Sequence, residues 1–418
     1  MSTQSRKLHL SLAFLTILVD MIGFGAAFPI LPILFSDEAH FFSGLRADRL
    51  PVWYGALLSV FALAQFIGAP VLGALSDRFG RRPVLLLSIG GSAIGYALFA
   101  YGIEQSNMVW LFAGRIIPGF AGGNVAIVFS SLADASHGRS KVKDFGLAGA
   151  AFGMGMILGP VLGGILSDEQ LHPVLGLHVP FVGMVLLTAV NFLFVWRFYP
   201  ETNLSPNPSK VSPLSGFRNL VEAFYHPRLK LVFIAVLLQA CGFSLFIQFV
   251  AFFLEQAHGF RQLDIGLMFG YVGLLTALTQ GFLVRPLATR FSSERMVANV
   301  IPGFALGILL LIQPAESWWL YVIIPLPTIF QGLYMPNMTA VVSNLSDREI
   351  QGRMLSINQS LTALSNAIPP LFGGWLFLIG ARIPVYVAVA FSFAAWAVFN
   401  LFFQRYRKAV AAQEEPAD

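Results

Sequence analysis

The chain is a succession of long apolar stretches without a single charged side chain, and this pattern limits the folds open to it. The stretches cover residues 53–76, 83–103, 116–133, 145–167, 170–196, 231–254, 265–284, 296–315, 317–346, 354–381 and 383–404. A further apolar run at about residues 9–35 is interrupted only by Asp20. Since a membrane-crossing helix needs about 20 mainly apolar residues, the pattern predicts 12 spans, the fourth of them extended outward through Arg115.

Composition indicates lipid, rather than water, as the solvent of these stretches. Hydrophobic residues make up 56% of the chain and charged residues 11%, and the mean hydropathy is +0.72. A water-soluble core cannot bury that much apolar surface. The alternation that marks membrane β-strands does not occur in the stretches, so we expect helices. The predicted fold class is an all-α, multi-pass membrane protein.

The basic residues are distributed unevenly over the predicted loops. The net charge of +5 and the pI near 9.4 are compatible with nucleic-acid binding. However, only Arg46, Arg49, Arg261 and Arg382 fall in loops opposite the termini, and Arg115 lies within a span; the rest of the 26 basic residues lie on the side of the termini. Cytoplasmic loops carry such an excess of Lys and Arg. We expect cytoplasmic termini, a bacterial inner (plasma) membrane and no nucleic-acid partner.

The usual signatures of enzymes, metal sites and nucleotide-driven pumps are missing from the sequence. Cys241 is the single cysteine, which excludes a disulfide framework within the chain and a cysteine-cluster metal site. The GxxxxGK[ST], HExxH and GxSxG motifs do not occur, which argues against ATP as the energy source and against hydrolase chemistry. We therefore expect no enzyme activity, no cofactor and no bound metal.

Sequence elements of the first half recur in the same order in the second half. LSDRFGRR at 75–82 resembles LATRFSSER at 287–295, LADASHGR at 132–139 resembles LSDREIQGR at 345–353, and PVLGG at 160–164 resembles PLFGG at 370–374. The common offset of about 210 residues indicates duplication of a six-helix unit. The predicted parts are an N-terminal bundle at 1–198, a polar cytoplasmic linker at 199–229, a C-terminal bundle at 230–406 and a cytoplasmic tail at 407–418.

A short charged turn follows the second span, where residues 73–83 read GALSDRFGRRP. Its glycines permit close backbone approach, its aspartate can accept hydrogen bonds or face the positive end of a helix, and its arginines hold the turn at the membrane surface. The alternative is a turn that serves only as an orientation signal. The residues that define the turn are Gly73, Asp77, Arg78, Gly80, Arg81 and Arg82.

In the fifth span, glycines recur every four residues at Gly155, Gly159 and Gly163. This spacing puts a flat groove along one face of the helix, where another helix can come close. Pro160 adds a bend, and Gly164 follows the third glycine. Ordinary small-residue packing is the alternative, because it is common in membrane helices. The second half lacks the ladder of three glycines, so the feature belongs to one half only.

Two charged residues lie inside predicted spans. Asp20 is about 11 residues into the first span, roughly 16 Å from its inner end at about 1.5 Å per residue, and Arg115 lies in the fourth span. An ionised side chain near the midplane costs on the order of 2.5–3.5 kcal/mol, so each needs a partner, water or, for Asp20, a proton. Counted from opposite membrane faces the two fall within reach, and we predict that they interact, directly or through water, and couple proton binding to helix geometry. The alternatives are a packing hydrogen bond for Asp20 and a snorkelling Arg115.

Polar residues also follow helical spacing in the second half of the chain. Such stripes must face a cavity or another helix, because lipid offers them no hydrogen bonds. For each of them, structural hydrogen bonding and contact with a ligand remain open as roles. The candidate cavity residues are Ser244, Gln248 and Glu255 in span 7, Asn358, Thr362 and Asn366 in span 11, and additionally Asn124 and Asn337.

Together these features resemble the 12-span drug:proton antiporters of the major facilitator superfamily, in particular the bacterial tetracycline exporters. From Asp20 the first span reads DMIGFGAAFPILP, with Gly23, Gly25, Pro29 and Pro32 spaced as in those exporters. The resemblance implies the major facilitator fold, with two pseudo-symmetric six-helix bundles around a substrate cavity near the midplane. It also implies that the glycine ladder is the motif that separates proton antiporters from importers.

The same resemblance implies that the turn at 73–83 is an inner gate. Asp77 would bridge to the opposite half when the cavity faces outward. The second-half copy of the turn has Thr289 in the place of Asp77, so we expect its gate to be weaker.

The chain departs from the tetracycline exporters at three positions. Those exporters carry an acid in span 3, a histidine in span 8 and an acid in span 9, where this chain has Gly95, Thr276 and Phe304. Tetracycline, which they carry as a metal chelate, is therefore not the expected substrate, and Asp20 stands almost alone as the proton site. One proton driven by about 150 mV supplies roughly 3.5 kcal/mol, so one carrier is sufficient.

The function predicted from the sequence is proton-coupled antiport that exports a moderately apolar small molecule, such as a drug, a siderophore or a metabolite. The expected partners are that substrate, protons and the lipid bilayer, and we expect a monomer. A proton symporter or facilitator that imports a nutrient or siderophore is the alternative, which the fold permits equally. A transporter scaffold with a non-transport role, such as a sensor, is a third hypothesis.

Overall fold

The computed structural model describes residues 3–36, 46, 49–135, 140–203, 215–225, 229–347 and 349–414. This part of the chain is 86% helical and contains no strand. The helices of the first half are α1 (Thr3–Leu34), α2 (Leu50–Phe79), α3 (Arg81–Glu104), α4 (Met108–Ala121), α5 (Asn124–Ala135), α6 (Ser140–Ser167) and α7 (Val179–Phe198). They are followed by α8 (Ser215–Tyr225), α9 (Lys230–His258), α10 (Gln262–Leu278), α11 (Val284–Ala288), α12 (Ser293–Leu311), α13 (Trp318–Ile323), α14 (Pro325–Asn344), α15 (Gln351–Ala367), α16 (Pro369–Ile379) and α17 (Ile383–Glu414).

In the part of the chain that the structure describes, the helices form 12 segments that are long and apolar enough to cross a membrane. This finding confirms the predicted number of spans and the all-α fold class. Large apolar side chains such as Leu186, Phe372 and Val109 are 61–72% exposed, as lipid-facing residues are.

Four of the spans are each built from more than one helix. Span 4 joins α4 and α5 at Gly122 and Gly123, and a π-helical turn at Thr279–Leu283 joins α10 to α11. The other two breaks precede Pro325 and Pro369, each within the first turn of the next helix. Proline is favoured there because its missing N–H would have no partner at a helix start.

By compactness the chain divides into two units. The first comprises Met1–Ser215 and Ala251–Gly273, and the second comprises Gly216–Val250 and Leu274–Asp418. The end of α9 and the start of α10 thus group with the first unit. The division into bundles at 1–198 and 230–406, with a linker and a tail, stays a prediction.

Each unit has its own apolar core. In the first unit, Ile17 of α1, Leu85 of α3 and Ile127 of α5 are fully buried together. In the second unit, α9, α12, α14, α15 and α17 contribute the core. The short α8 lies on the second unit, where Glu222 pairs with Arg353 at 2.5 Å.

Candidate functional site

Asp20 lies on α1 inside the first unit, and only 9% of the residue is exposed. The side-chain amide of Asn124, the first residue of α5, faces its carboxyl group. Neither amide atom of Asn124 nor Oδ2 of Asp20 completes a hydrogen bond among the described residues. A buried, incompletely bonded carboxyl group is far more stable neutral than ionised.

Tyr96 of α3 is the second polar neighbour of Asp20. Its hydroxyl group occupies the space beside Gly23, where a Cβ atom would overlap with it. Gly23 is therefore needed to admit Tyr96 next to the acid. Tyr96 could not be identified from the sequence, because a tyrosine among apolar residues gives no signal of its own.

Arg115 of α4 is 5% exposed and lies among aromatic rings. Its guanidinium carbon is 5.4 Å from the ring centre of Phe61 and 5.1 Å from that of Phe99. Tyr54 and Tyr96 are also within electrostatic reach. Cation–π contacts of this kind stabilise a desolvated charge by about 2 kcal/mol. In the described part of the chain no acid lies within 4 Å of Arg115, and its Nε has no hydrogen-bond partner.

Asp20 and Arg115 are both described, and they do not form an ion pair in this structure. Tyr96 neighbours both side chains instead. Their interaction, directly or through water, stays a prediction.

The glycine ladder of α6 faces α1. A Cβ atom on Gly159 would lie 2.7 Å from the carbonyl oxygen of Ile22 and 2.9 Å from Cα of Gly25, and a Cβ atom on Gly163 would meet the backbone of Ala26. A Cβ atom on Gly155 would overlap with Cβ of Met21 and lie 3.0 Å from the carbonyl oxygen of Leu18, one turn earlier on α1. The helix that carries Asp20 is thus packed closely against α6 over the turns on both sides of the acid.

A second close contact is made by the neighbouring face of α6. A Cβ atom on Gly164 would lie 2.6 Å from the carbonyl oxygen of Gln262 and 3.1 Å from Cα of Gly266, at the start of α10. The ring of Pro160 packs against Gly25 on the α1 side. Asp168, directly after α6, is buried and lies 3.5 Å from Nη1 of Arg261. Residues 155–164 therefore meet α1 on one face and α10 on the other.

The charged turn between α2 and α3 is held by ion pairs inside the first unit. Arg81 donates from Nη1 to Asp77 at 2.5 Å and from Nε to Asp134 of α5 at 3.0 Å. Arg81 also donates to Ser76 at 2.8 Å. The Asp77 side chain is 43% exposed, whereas that of Arg81 is 10% exposed. Asp77 thus keeps an open side in addition to its partner.

Glu201, just after α7, binds the start of α3. The backbone N–H groups of Arg81 and Arg82 donate to its two carboxylate oxygens at 2.9 and 3.0 Å. A carboxylate at a helix N-terminus satisfies free N–H groups and faces the positive end of the helix dipole. Glu201 and the role of Asp134 could not be identified from the sequence, because their partners lie far away along the chain. These partners are the backbone N–H groups of Arg81 and Arg82 for Glu201, and the side chain of Arg81 for Asp134.

The side chains of the remaining residues of the turn take no part in the ion pairs of Arg81. Gly73 has open space where a Cβ atom would be, so close approach does not require glycine there. Arg78 lies over the ring of Phe79 at 5.1 Å, and Arg82 donates to the carbonyl oxygen of Trp196. In the second half Thr289 bonds to the carbonyl oxygen of Pro286 at 2.9 Å and contributes no acid.

Replacing Gly80 by alanine is expected to destabilise this turn. Gly80 has φ +97, and a Cβ atom would lie 2.5 Å from Oε2 of Glu201. The backbone strain alone costs about 1–3 kcal/mol, and displacing Glu201 uncaps α3. We expect Gly80→Ala to lower the thermal unfolding temperature of the purified protein, while Gly73→Ala, at an open site in α2, leaves it unchanged or higher. Equal unfolding temperatures for the two variants would contradict this account.

The candidate cavity residues of the second half mostly bond within their own unit. Gln248 donates to Ser244 at 2.6 Å and to the carbonyl oxygen of Asn366 at 3.2 Å. Asn337 and Thr362 each bond one turn back on their own helix. Oδ1 of Asn358 is buried without a hydrogen bond, and Glu255 lies in the α9 segment that groups with the first unit. Their contact with a ligand stays a prediction.

Two of the three departures from the exporter pattern, Gly95 and Phe304, lie in crowded or apolar surroundings. Gly95 of α3 packs against the ring of Pro118, and Phe304 of α12 is 1% exposed, 6.0 Å from the ring of Phe243. A larger, ionisable side chain has no room beside Pro118. These positions supply no titratable group in this chain.

The chain is similar to known membrane proteins in both sequence and structure. Residues 13–324 and 281–417 match the Major Facilitator Superfamily. The tetracycline resistance protein, class C, of Escherichia coli is 32% identical over 403 residues, covering 91% of this chain and 96% of that protein. Major facilitator superfamily domain-containing protein 10 of Bos taurus is 30% identical over 434 residues, covering 91% and 90%. The crystal structure of the human organic anion transporter MFSD10 (TETRAN) aligns with a TM-score of 0.69 at 24% identity, covering 94% of this chain and 99% of that chain.

Proposed function

Because this chain belongs to the major facilitator superfamily and is a multi-pass membrane transporter rather than an enzyme, we propose that it exports a moderately apolar small molecule in exchange for protons. The observation that carries this proposal is the buried, incompletely bonded Asp20 on a helix packed backbone to backbone against the glycine ladder of α6. Similarity to tetracycline resistance proteins over 91% of the chain supports it.

Asp20 is the proton carrier in this proposal. It holds a proton while its surroundings are those described above, since an ionised carboxylate there lacks both a cation and a full set of hydrogen bonds. It releases the proton when Arg115 approaches, or when the site opens to water. A ligand can shift such an equilibrium only by its differential affinity for the two states, so substrate binding and proton binding must favour different states.

The contact between α1 and α6 transmits the change. Main-chain contacts leave no flexible side chains between the two helices, so α1 and α6 move as one body. The ion pairs of Arg81 with Asp77 and Asp134 and the cap by Glu201 give the gate turn a defined resting geometry. The exposed side of Asp77 is free to bind the opposite half in the outward-facing state.

The substrate is proposed to be a drug, siderophore or other metabolite rather than tetracycline. The relatives named for tetracycline resistance are about 30% identical to this chain, and the exporter pattern places ionisable groups where this chain has Gly95, Thr276 and Phe304. A metal chelate needs such groups more than an apolar molecule does.

The protein is further proposed to be a monomer in a bacterial inner membrane, with cytoplasmic termini and the bundle boundaries predicted above.

Proton-coupled export can be tested in everted membrane vesicles. We expect that a transported compound dissipates an imposed pH gradient, reported by a pH-sensitive dye, and accumulates only while that gradient is present. The compounds to compare are neutral, cationic and anionic apolar drugs together with magnesium-bound tetracycline. Accumulation that ignores the pH gradient would contradict antiport, and efficient transport of magnesium-tetracycline would contradict the proposed substrate class.

A further inference from the structure

The interior of the first unit contains polar side chains on three neighbouring helices. On α1 they are spaced by seven and four residues, and they recur on α5 and α7. Seven of them are no more than 2% exposed, and Asp20 is 9% exposed. The set consists of His9, Thr16 and Asp20 on α1, Asn124 and Ser131 on α5, Thr188 and Asn191 on α7, and Tyr199 at its end.

At the end near the gate, three of these side chains form one hydrogen-bonded cluster. His9 Nε2 lies 2.6 Å from Oγ of Ser131 and 3.2 Å from the hydroxyl of Tyr199, and these two hydroxyls are 2.5 Å apart. His9 Nδ1 is buried and has no partner in the described part of the chain. The imidazole thus has one ring nitrogen inside the cluster and one available to another donor or acceptor.

A second polar contact lies between this cluster and Asp20. Thr16 donates to Oδ1 of Asn191 at 3.2 Å. Nδ2 of Asn191 and Oγ1 of the neighbouring Thr188 are buried without partners. Thr16 is about 6 Å along α1 from Asp20 and about 10 Å from His9.

Buried polar atoms without a partner therefore occur all along the line from Asp20 to His9. They belong to Asn124, Asp20, Asn191, Thr188 and His9. Buried polar atoms in native proteins are normally satisfied, by ordered water where no side chain reaches. The described residues of the second unit also hold buried unpartnered atoms, but these belong to the amides and hydroxyls of Gln239, Gln331, Tyr334, Asn358 and Ser392. Among the described residues, only those of the first unit combine such amides and hydroxyls with a carboxyl group and an imidazole.

The cluster adjoins the charged surface of the gate. Asp134, three residues after Ser131, is 30% exposed and bonds to Arg81. Asp134 and Asp144 are the acids that face His9, and Asp144 is paired with Arg6 at 2.5 Å. Glu201, Arg81 and Asp134 face Tyr199.

We propose that this line of side chains and bridging water is a proton pathway from Asp20 to the gate surface, with His9 as its relay. The proposal rests on the proposed function, because Asp20 must exchange a proton with the gate side. The carboxyl group of Asp20 gives its proton to the bridging water and becomes a carboxylate, and this water passes a proton to Nδ1 of His9. Nε2 of His9 at the same time gives its proton to the hydroxyls of Ser131 and Tyr199, which pass one on to water or the carboxylate of Asp134. His9 stays neutral, with its proton moved from Nε2 to Nδ1. The pathway runs inside one unit and needs no opening of the substrate cavity.

Infrared spectroscopy of the protein in lipid nanodiscs tests the pathway without a substrate. After a pH jump, the carbonyl stretch that disappears in Asp20→Asn reports the proton on Asp20. We expect His9→Gln to slow the change in this band by at least about tenfold. His172→Gln, which changes an exposed histidine in the loop after α6, is the matched control and should keep the wild-type rate.

A second variant separates proton transfer from a purely structural role of His9. His9→Gly should recover part of its rate on addition of imidazole, in proportion to the imidazole concentration. A wild-type rate in His9→Gln, or a slow His9→Gly that imidazole does not accelerate, overturns the pathway. Absence of the Asp20 band from the wild-type protein overturns the proposed function as well, so the two failures are distinguishable.

Discussion

Asp20→Asn abolishes proton-driven accumulation of substrate: this is the largest effect we expect from any single substitution. One proton driven by about 150 mV sustains a ratio of roughly 300 between the substrate concentrations on the two sides of the membrane. Without a titrating group this concentration ratio falls to about 1. Asparagine matches aspartate in size and cannot ionise, so packing around α1 is preserved. The measurement is substrate accumulation in energised everted vesicles.

Two comparisons make this result specific to the carboxyl group at position 20. Asp20→Glu keeps a titrating carboxyl group and should retain part of the accumulation. Glu104→Gln changes an acid that is 49% exposed beside His178 and should leave accumulation unchanged. Exchange of substrate across vesicles without a gradient should survive in Asp20→Asn, since that process moves no net proton. Full accumulation by Asp20→Asn would remove the proton carrier from the mechanism.

Gly159→Val is expected to produce the second largest effect, through the contact between α1 and α6. Any Cβ atom at this position meets backbone atoms of Ile22 and Gly25 within 3 Å, and backbone cannot move aside as a side chain can. Overpacking of this kind costs about 1–3 kcal/mol or more. We expect a clear drop in thermal unfolding temperature, and a loss of transport larger than the loss of folded protein, because α1 is pushed away with its acid.

Gly153→Val supplies the matched control on the same helix. Gly153 lies on α6 with no atom within 4 Å of a Cβ position, so the larger side chain has room there. Its stability and transport should stay near those of the wild type. A similar loss in both variants would mean that valine weakens the helix itself, and that the close contact with α1 is not the cause.

The spans could be predicted from sequence because lipid imposes a simple rule on length and charge. The uncharged stretch at 231–254 corresponds to the helix Lys230–His258. The helix is longer than the stretch only by a few residues at its two ends, where the charged residues begin. Helix breaks inside spans were not predicted, since Pro325 and Pro369 are compatible with either a kink or a new helix start.

Counting residues along a helix predicts how deep a side chain lies but not the direction in which it points. The sequence predicts similar depths for Asp20 and Arg115, which stays a prediction, and it gives no sign that Arg115 points to Phe61 and Phe99. Glycine spacing likewise identified a flat face on α6 but gave neither its partner α1 nor the contact of Gly164 with Gly266. Such pairings depend on tertiary contacts between distant segments, and these leave no local pattern.

The two-sided contact of α6 also restricts how this protein can evolve. Gly159 and Gly163 lie against α1 and Gly164 lies against α10, so enlarging any of them separates α6 from α1, which carries Asp20, or from α10. Lineages that acquire new cargo must then leave these glycines untouched and vary the residues of other spans. Selection experiments for altered cargo range should accordingly recover few substitutions between residues 155 and 164.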